Sequence, residues 1–99
     1  PGGIIRYKEK MLDRVKKVAK KELGCKIITN KNPIEINEIM LNQKNRGHFV
    51  SLLFLCKLVT NPSKKFKYLN GIPKIGQWKW HKTCPKNMIF PHIIYKKFF

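Results

Sequence analysis

Ninety-nine residues, 42% of them hydrophobic, suffice for one small domain (1–99) with a modest core and are too few for two. Lys and Arg number 22 against five Asp and Glu, and the net charge of +17 is spread from Arg6 to Lys97 rather than gathered in a tail. Anionic partners are therefore expected, namely phosphates, nucleic acid or an acidic membrane surface, the alternative being that the charge only keeps the surface solvated.

The first element predicted is a helix from Glu9 to Leu23. Met11, Leu12, Val15, Val18, Ala19 and Leu23 recur at three- and four-residue steps, while Lys10, Lys16, Lys17, Lys20 and Lys21 take much of the remaining circumference. Glu22 falls on the apolar face, four residues after Val18 and seven after Val15. A carboxylate there faces the core and lies in the last turn, where the macrodipole disfavours negative charge, so it needs a cation or strong donors. Glu9 stands at the first turn, where negative charge is favoured, and Asp13 is spaced to pair with Lys17.

Gly24 stops the helix, and the β-prone stretch Cys25 to Thr29 leads to a turn at Asn30 to Pro33. Two strands follow, Ile34 to Leu41 and the apolar run His48 to Val59, joined by a connecting turn at Asn42 to Gly47. Asn61 to Lys65 is a polar break and Asn70 to Pro73 a second turn. The alternation Gln77-Trp78-Lys79-Trp80-His81 predicts a terminal strand, and Lys86 to Phe99 an amphipathic segment whose helix begins at about Pro91. The pattern is α+β with a mixed or antiparallel sheet.

Cys25, Cys56 and Cys84 are odd in number and lack a Cys-x-x-Cys pair, which argues against a disulfide framework or zinc knuckle and fits a reducing, cytoplasmic setting. The longest uninterrupted apolar stretches, such as Leu52 to Cys56, are far too short to span a bilayer and no secretory signal pattern is present, so no membrane partner is expected. The chain opens at Pro-Gly-Gly without an initiator Met, and an upstream segment is expected.

Gly3, Glu9 and Gly24, with Glu22, Ala19 and Cys25 at the matching steps, resemble the Nudix box, the loop-helix-loop of enzymes that hydrolyse nucleoside diphosphates linked to another group. RGHFVSLLFLCKL is similar to the family's long central strand, and WKWHKTCPKNMIFPH to its terminal strand, turn and helix. The resemblance implies a mixed sheet flanked by helices, with strands ahead of the box that this chain lacks. It departs from the box at Lys17, Val18 and Lys21, leaving Glu22 as the surviving metal-binding carboxylate. In this it is similar to the GDP-mannose mannosyl hydrolase branch, which implies one Mg2+ (or Mn2+) held by Glu22 and the backbone of Gly2, a nucleotide sugar such as GDP-mannose as substrate, and attack of water at the sugar carbon.

The residues alone agree in part. Magnesium takes oxygen ligands and is often held by one or two carboxylates plus substrate phosphates, and a Gly-Gly turn lets backbone approach an ion or phosphate closely. Against this stands a plain ion pair between Glu22 and a lysine. Gly3, Arg6 and Lys8 are the candidate phosphate contacts, Gln77 and Trp78 weaker substrate contacts, and His81 a weak candidate base, since the branch's Gln-His pair is missing from Gly71 to Gly76. His48 and His92 are assigned structural roles. The expected partner is a nucleoside-diphosphate sugar or related nucleotide, with a homodimer left open. The alternative function is a noncatalytic basic module that binds RNA or another polyanion through lysines and aromatics.

Overall fold

The structure, a computed structural model, describes residues 1–42 and 47–99. Helix α1 spans Met11–Val18, followed by a π-helical turn at Ala19–Leu23. It starts later than the periodicity predicts because Glu9 is engaged in a turn: its N–H donates to the Arg6 carbonyl (3.0 Å), and its carboxylate accepts from the Arg6 N–H (3.0 Å). The π turn ends on Gly24 in the left-handed region (φ 63°). Glycine is required there twice over, since a Cβ would also stand 2.7 Å from Cβ of Ser63. The Ser63 N–H in turn caps the Leu23 carbonyl at 2.7 Å.

The strands form one long antiparallel hairpin interrupted midway. Strand β1 (Ile27–Thr29) pairs with β4 (Cys56–Leu58), Ile27 opposite Leu58, and β2 (Glu35–Met40) pairs with β3 (His48–Leu53), Glu35 opposite Leu53. Five residues separate β1 from β2 and two separate β3 from β4, so the first arm carries three extra residues across the break. Pro33, which has no N–H to give a ladder, lies in that excursion. The single strand expected from His48 to Val59 is therefore two. The turn expected at Asn42 to Gly47 falls largely outside the described residues, but the Leu41 N–H donates to the Gly47 carbonyl and closes the hairpin.

Within β2 the inner face is not the more apolar one. Ile39 is buried and Glu35 and Asn37 are half-buried beside it, whereas Ile36 and Met40 point outward. The inner face tolerates Glu35 because Lys97 and the Asn37 amide both donate to it, Lys97 first in weight, and hold its carboxyl below the usual range. Tyr95 is buried on the same face, with its hydroxyl bonded to that of Ser51 in β3. The C-terminal segment thus packs on the hairpin through α2 (Phe90–Ile93), with Pro91 in its first turn, and a 3-10 turn at Lys96–Phe98. The terminal helix begins at Pro91's position as expected, but it runs only to Ile93 before the 3-10 turn. Gln77 to His81 is likewise not a strand; it makes one parallel bridge, Trp78 to Lys67, just beyond a 3-10 turn at Lys64–Phe66.

The result is an α+β domain with two small antiparallel ladders rather than one mixed sheet. Among the described residues its buried core side chains include Ala19, Cys25, Ile39 and Tyr95, and its accessible surface is 8798 Å². A folded monomer of 11.7 kDa exposes about 5,900 Å² by the usual scaling, so much apolar surface remains uncovered. Among the described residues no helix is long and apolar enough to cross a membrane.

Candidate anion and metal site

The glycine loop lies against α1 and the π turn. A Cβ built on Gly3 would stand 2.6 Å from Cγ2 of Val18 and 3.2 Å from Cδ of Arg14, so only glycine lets the loop approach this closely. Gly2 is different: its nearest neighbour would be His92 Nε2 at 3.9 Å, an ordinary contact. The Gly2 N–H donates to Oε2 of Glu22 at 3.2 Å. Loop and helix end together bound a depression of about 1010 Å³, lined by Gly2, Gly3, Arg6, Glu22 and His92 with Arg14, Lys17, Lys20 and Lys21.

Glu22 does not face the core as its helical phase suggests. Its side chain is 39% exposed, on the rim of this depression. The cause is the π turn: bonding from i to i+5 widens the helix, so residues after Ala19 leave the 3.6-residue phase set by Val15 and Val18.

Glu9 has the structural role expected of it, through different partners. Arg14 grips it with both nitrogens, Nε to Oε1 at 2.7 Å and Nη2 to Oε2 at 2.9 Å, and Lys17 Nζ adds a bond to Oε2 at 3.0 Å. The Arg14 fork, the Arg6 N–H and the Lys17 ammonium pull its pKa down to about 2. Lys17 thus pairs with Glu9, not with Asp13, because the nearly covered Glu9 needs its donors more than an exposed aspartate does. This cluster fixes Arg14 and Lys17 along the side of the depression.

Of the sequence candidates, Gly2, Gly3, Arg6 and Glu22 converge here. Lys8 lies over the adjoining depression with Tyr7 and Lys10, in the left-handed region (φ 59°) and with its ammonium 5.6 Å from the Tyr7 ring. Gln77, Trp78 and His81 line neither depression. Gln77 Oε1 accepts from the Lys74 N–H (2.6 Å), and the Trp78 indole N–H donates to the Ser63 carbonyl (3.0 Å). Sequence reasoning missed Arg14 and His92 as site residues. Arg14, Lys17 and Lys21 recur at three- and four-residue steps, which is a legible stripe; His92 is 70 positions from Glu22 and only the packing of α2 brings it near. Partial desolvation, with the nearby N-terminal ammonium, pushes the His92 imidazole below its ordinary pKa.

Five cations around one carboxylate make this foremost a phosphate-attracting surface. Among the described residues no three His, Cys, Asp or Glu side chains converge as a metal cage. The donor set therefore does not suit an ion held by protein alone. It suits one shared between a single carboxylate and the phosphates of a bound ligand, a habit of magnesium.

Compared with known proteins, the chain matches no family model, no curated protein and no solved structure.

Proposed function

We propose that this face binds the diphosphate of a nucleoside-diphosphate-linked substrate, in keeping with a nucleotide sugar such as GDP-mannose, and that the chain is a Nudix-type hydrolase with a pared-down box. The observation that carries the reading is the meeting of Gly2 and Glu22, 20 positions apart, on the rim of a depression walled by Arg6, Arg14, Lys17, Lys20 and Lys21. Arg6 and the lysines take the phosphate oxygens. Gly3 keeps the loop backbone close to the helix and so beside the same cations. Glu22 and the Gly2 backbone are the groups that would hold Mg2+ (or Mn2+), which when bound supplies charge neutralisation on the departing diphosphate. His92, and not His81, is the imidazole at this depression, and its neutral form can accept a proton from water.

Magnesium-dependent turnover of nucleoside-diphosphate sugars tests the proposal. Glu22→Gln removes formal charge at constant volume, so turnover and magnesium affinity should fall together while the melting temperature holds. Equal magnesium affinity in both forms refutes the assignment of Glu22. The second reading, a noncatalytic polyanion binder, is favoured by the single carboxylate among five cations. It predicts no turnover, with binding that falls steeply with salt and is indifferent to Glu22→Gln.

A further inference from the structure

Between Lys67 and Trp78 the chain leaves the body of the protein and returns. The bridge between these two residues closes the excursion, with the Tyr68 N–H donating to the Trp78 carbonyl (2.7 Å) and the Trp78 N–H to the Phe66 carbonyl (2.9 Å). The loop stands in open space: a Cβ built on Gly71 or on Gly76 would meet nothing within 4 Å. It is nonetheless braced from within. The Tyr68 hydroxyl donates to the Gly71 carbonyl, and Gln77 bonds back to Lys74 through both side chain and backbone.

What this loop presents is unusual for a projecting segment. Leu69 is 80% exposed, Ile72 93% and Ile75 fully exposed, with Trp80 at 61% beside its base. Lys65, Lys67, Lys74 and Lys79 accompany them, and no Asp or Glu occurs anywhere after Glu38. Bare aliphatic side chains along a projecting loop, an indole beside its base and lysines without nearby acidic residues in sequence are the residue types a membrane interface takes up, in hydrocarbon, at headgroup level and on anionic phosphates respectively.

We propose that the loop of residues 68–77 docks the protein on an anionic lipid surface, with Leu69, Ile72 and Ile75 entering the acyl boundary, Trp80 at headgroup level and Lys67, Lys74 and Lys79 on lipid phosphates. The expectation of no membrane partner followed from the lack of a spanning segment, and a loop that lies in the interface needs none. Single-stranded nucleic acid suits the surface less well. Stacking needs free ring faces, yet Lys67 lies over the Trp78 ring at 5.7 Å, Lys79 over Tyr68 at 5.5 Å, and Trp78 is half-buried against Trp80. The three aliphatic side chains would gain nothing from a sugar-phosphate chain. A second copy of the chain would itself carry +17 and would set lysines against lysines at this loop. The loop shares no lining residue with the depression at the glycine loop, and the inference does not depend on the hydrolase reading.

The test is sedimentation with vesicles of phosphatidylcholine alone and of an even mixture of phosphatidylcholine and phosphatidylserine, at physiological salt. The protein should bind the mixed vesicles, with a blue shift of tryptophan emission, and leave the neutral ones unbound. An Ile72→Ser/Ile75→Ser variant, whose changes lie in open space and should leave the melting temperature unaltered, should bind the mixed vesicles about tenfold to 100-fold more weakly as two aliphatic burials are lost. Lys67→Gln and Lys79→Gln should each weaken binding about fivefold. Binding of the isoleucine variant within about threefold of the parent overturns the proposal, because charge alone would then explain the adsorption. So does a dimer in solution that the isoleucine variant abolishes, or absent vesicle binding alongside tight binding of oligouridine that Trp80→Ala removes.

Discussion

Gly3→Ala tests the contact on which the candidate site is built. The new methyl would stand 2.6 Å from Val18 Cγ2 and 3.2 Å from Arg14 Cδ, against the roughly 3.5–4.0 Å at which carbon atoms rest. Neither neighbour yields readily: Val18 is β-branched and held to one rotamer in a helix, and Arg14 is clamped by Glu9. Overpacking of this size costs about 1–3 kcal/mol. Gly3 does not have a positive φ, so alanine recovers about 0.4–1 kcal/mol through the unfolded chain. The net loss should be about 1–2 kcal/mol, or roughly 5–10 °C in a domain of 99 residues. Val18→Ala deletes the offending methyl, so in that background Gly3→Ala should cost less than about 0.5 kcal/mol, a coupling that a double-mutant cycle from urea or thermal unfolding resolves. Gly2→Ala, which meets only His92 at 3.9 Å, serves as the neutral control. Pyrophosphate affinity should follow the same pattern, lost in Gly3→Ala and restored with Val18→Ala. A Gly3→Ala variant as stable as Gly2→Ala, or equally destabilised in both backgrounds, would refute the reasoning.

Glu9 is held at a pKa of about 2 against an ordinary 4.5, so its stabilisation is complete above the higher value and is lost as pH falls through that range toward the lower. Melting temperature should therefore drop on acidification more steeply in the parent than in Glu9→Gln, and parallel acid limbs would show that the Arg14 and Lys17 bonds contribute nothing. Gly24→Ala should cost about 2–3 kcal/mol, part from forcing a side chain into the left-handed region and part from the 2.7 Å approach to Ser63 Cβ. Ser63→Gly should relieve only the second part, and full rescue would mean the backbone carries no strain.

The amino-acid sequence was sufficient for the ends of the first helix to within a turn, because its apolar period and its closing glycine act over a few residues and need no tertiary partner. The strands were legible as β-prone runs for the same reason. Their pairing was not, since nothing local says that Ile27 lies opposite Leu58 while Glu35 lies opposite Leu53, or that three residues bulge out between them. Face selection also depended on distant groups. Glu35 turns inward rather than Ile36 because Lys97, far along the chain, neutralises it and the neighbouring Asn37 amide donates to it.

The candidate site divides along the same line. Gly2, Gly3, Arg6 and Glu22 were identifiable from a glycine pair at a helix start and one misplaced carboxylate, which are features of residue type and spacing. The orientation of Glu22 was not, because the switch from α to π hydrogen bonding after Val18, at a helix end tied to Ser63, leaves no mark in the apolar period. Gln77 and Trp78 end a loop that closes on Lys67, His81 follows it, and none of the three lines the depression at the glycine loop, whereas His92 enters the site through α2. Local chemistry thus chose which residues carry charge and freedom of backbone. Which of them meet was decided by tertiary packing, since contacts between residues 70 positions apart depend on the free energy of the whole chain and leave no periodic trace in it.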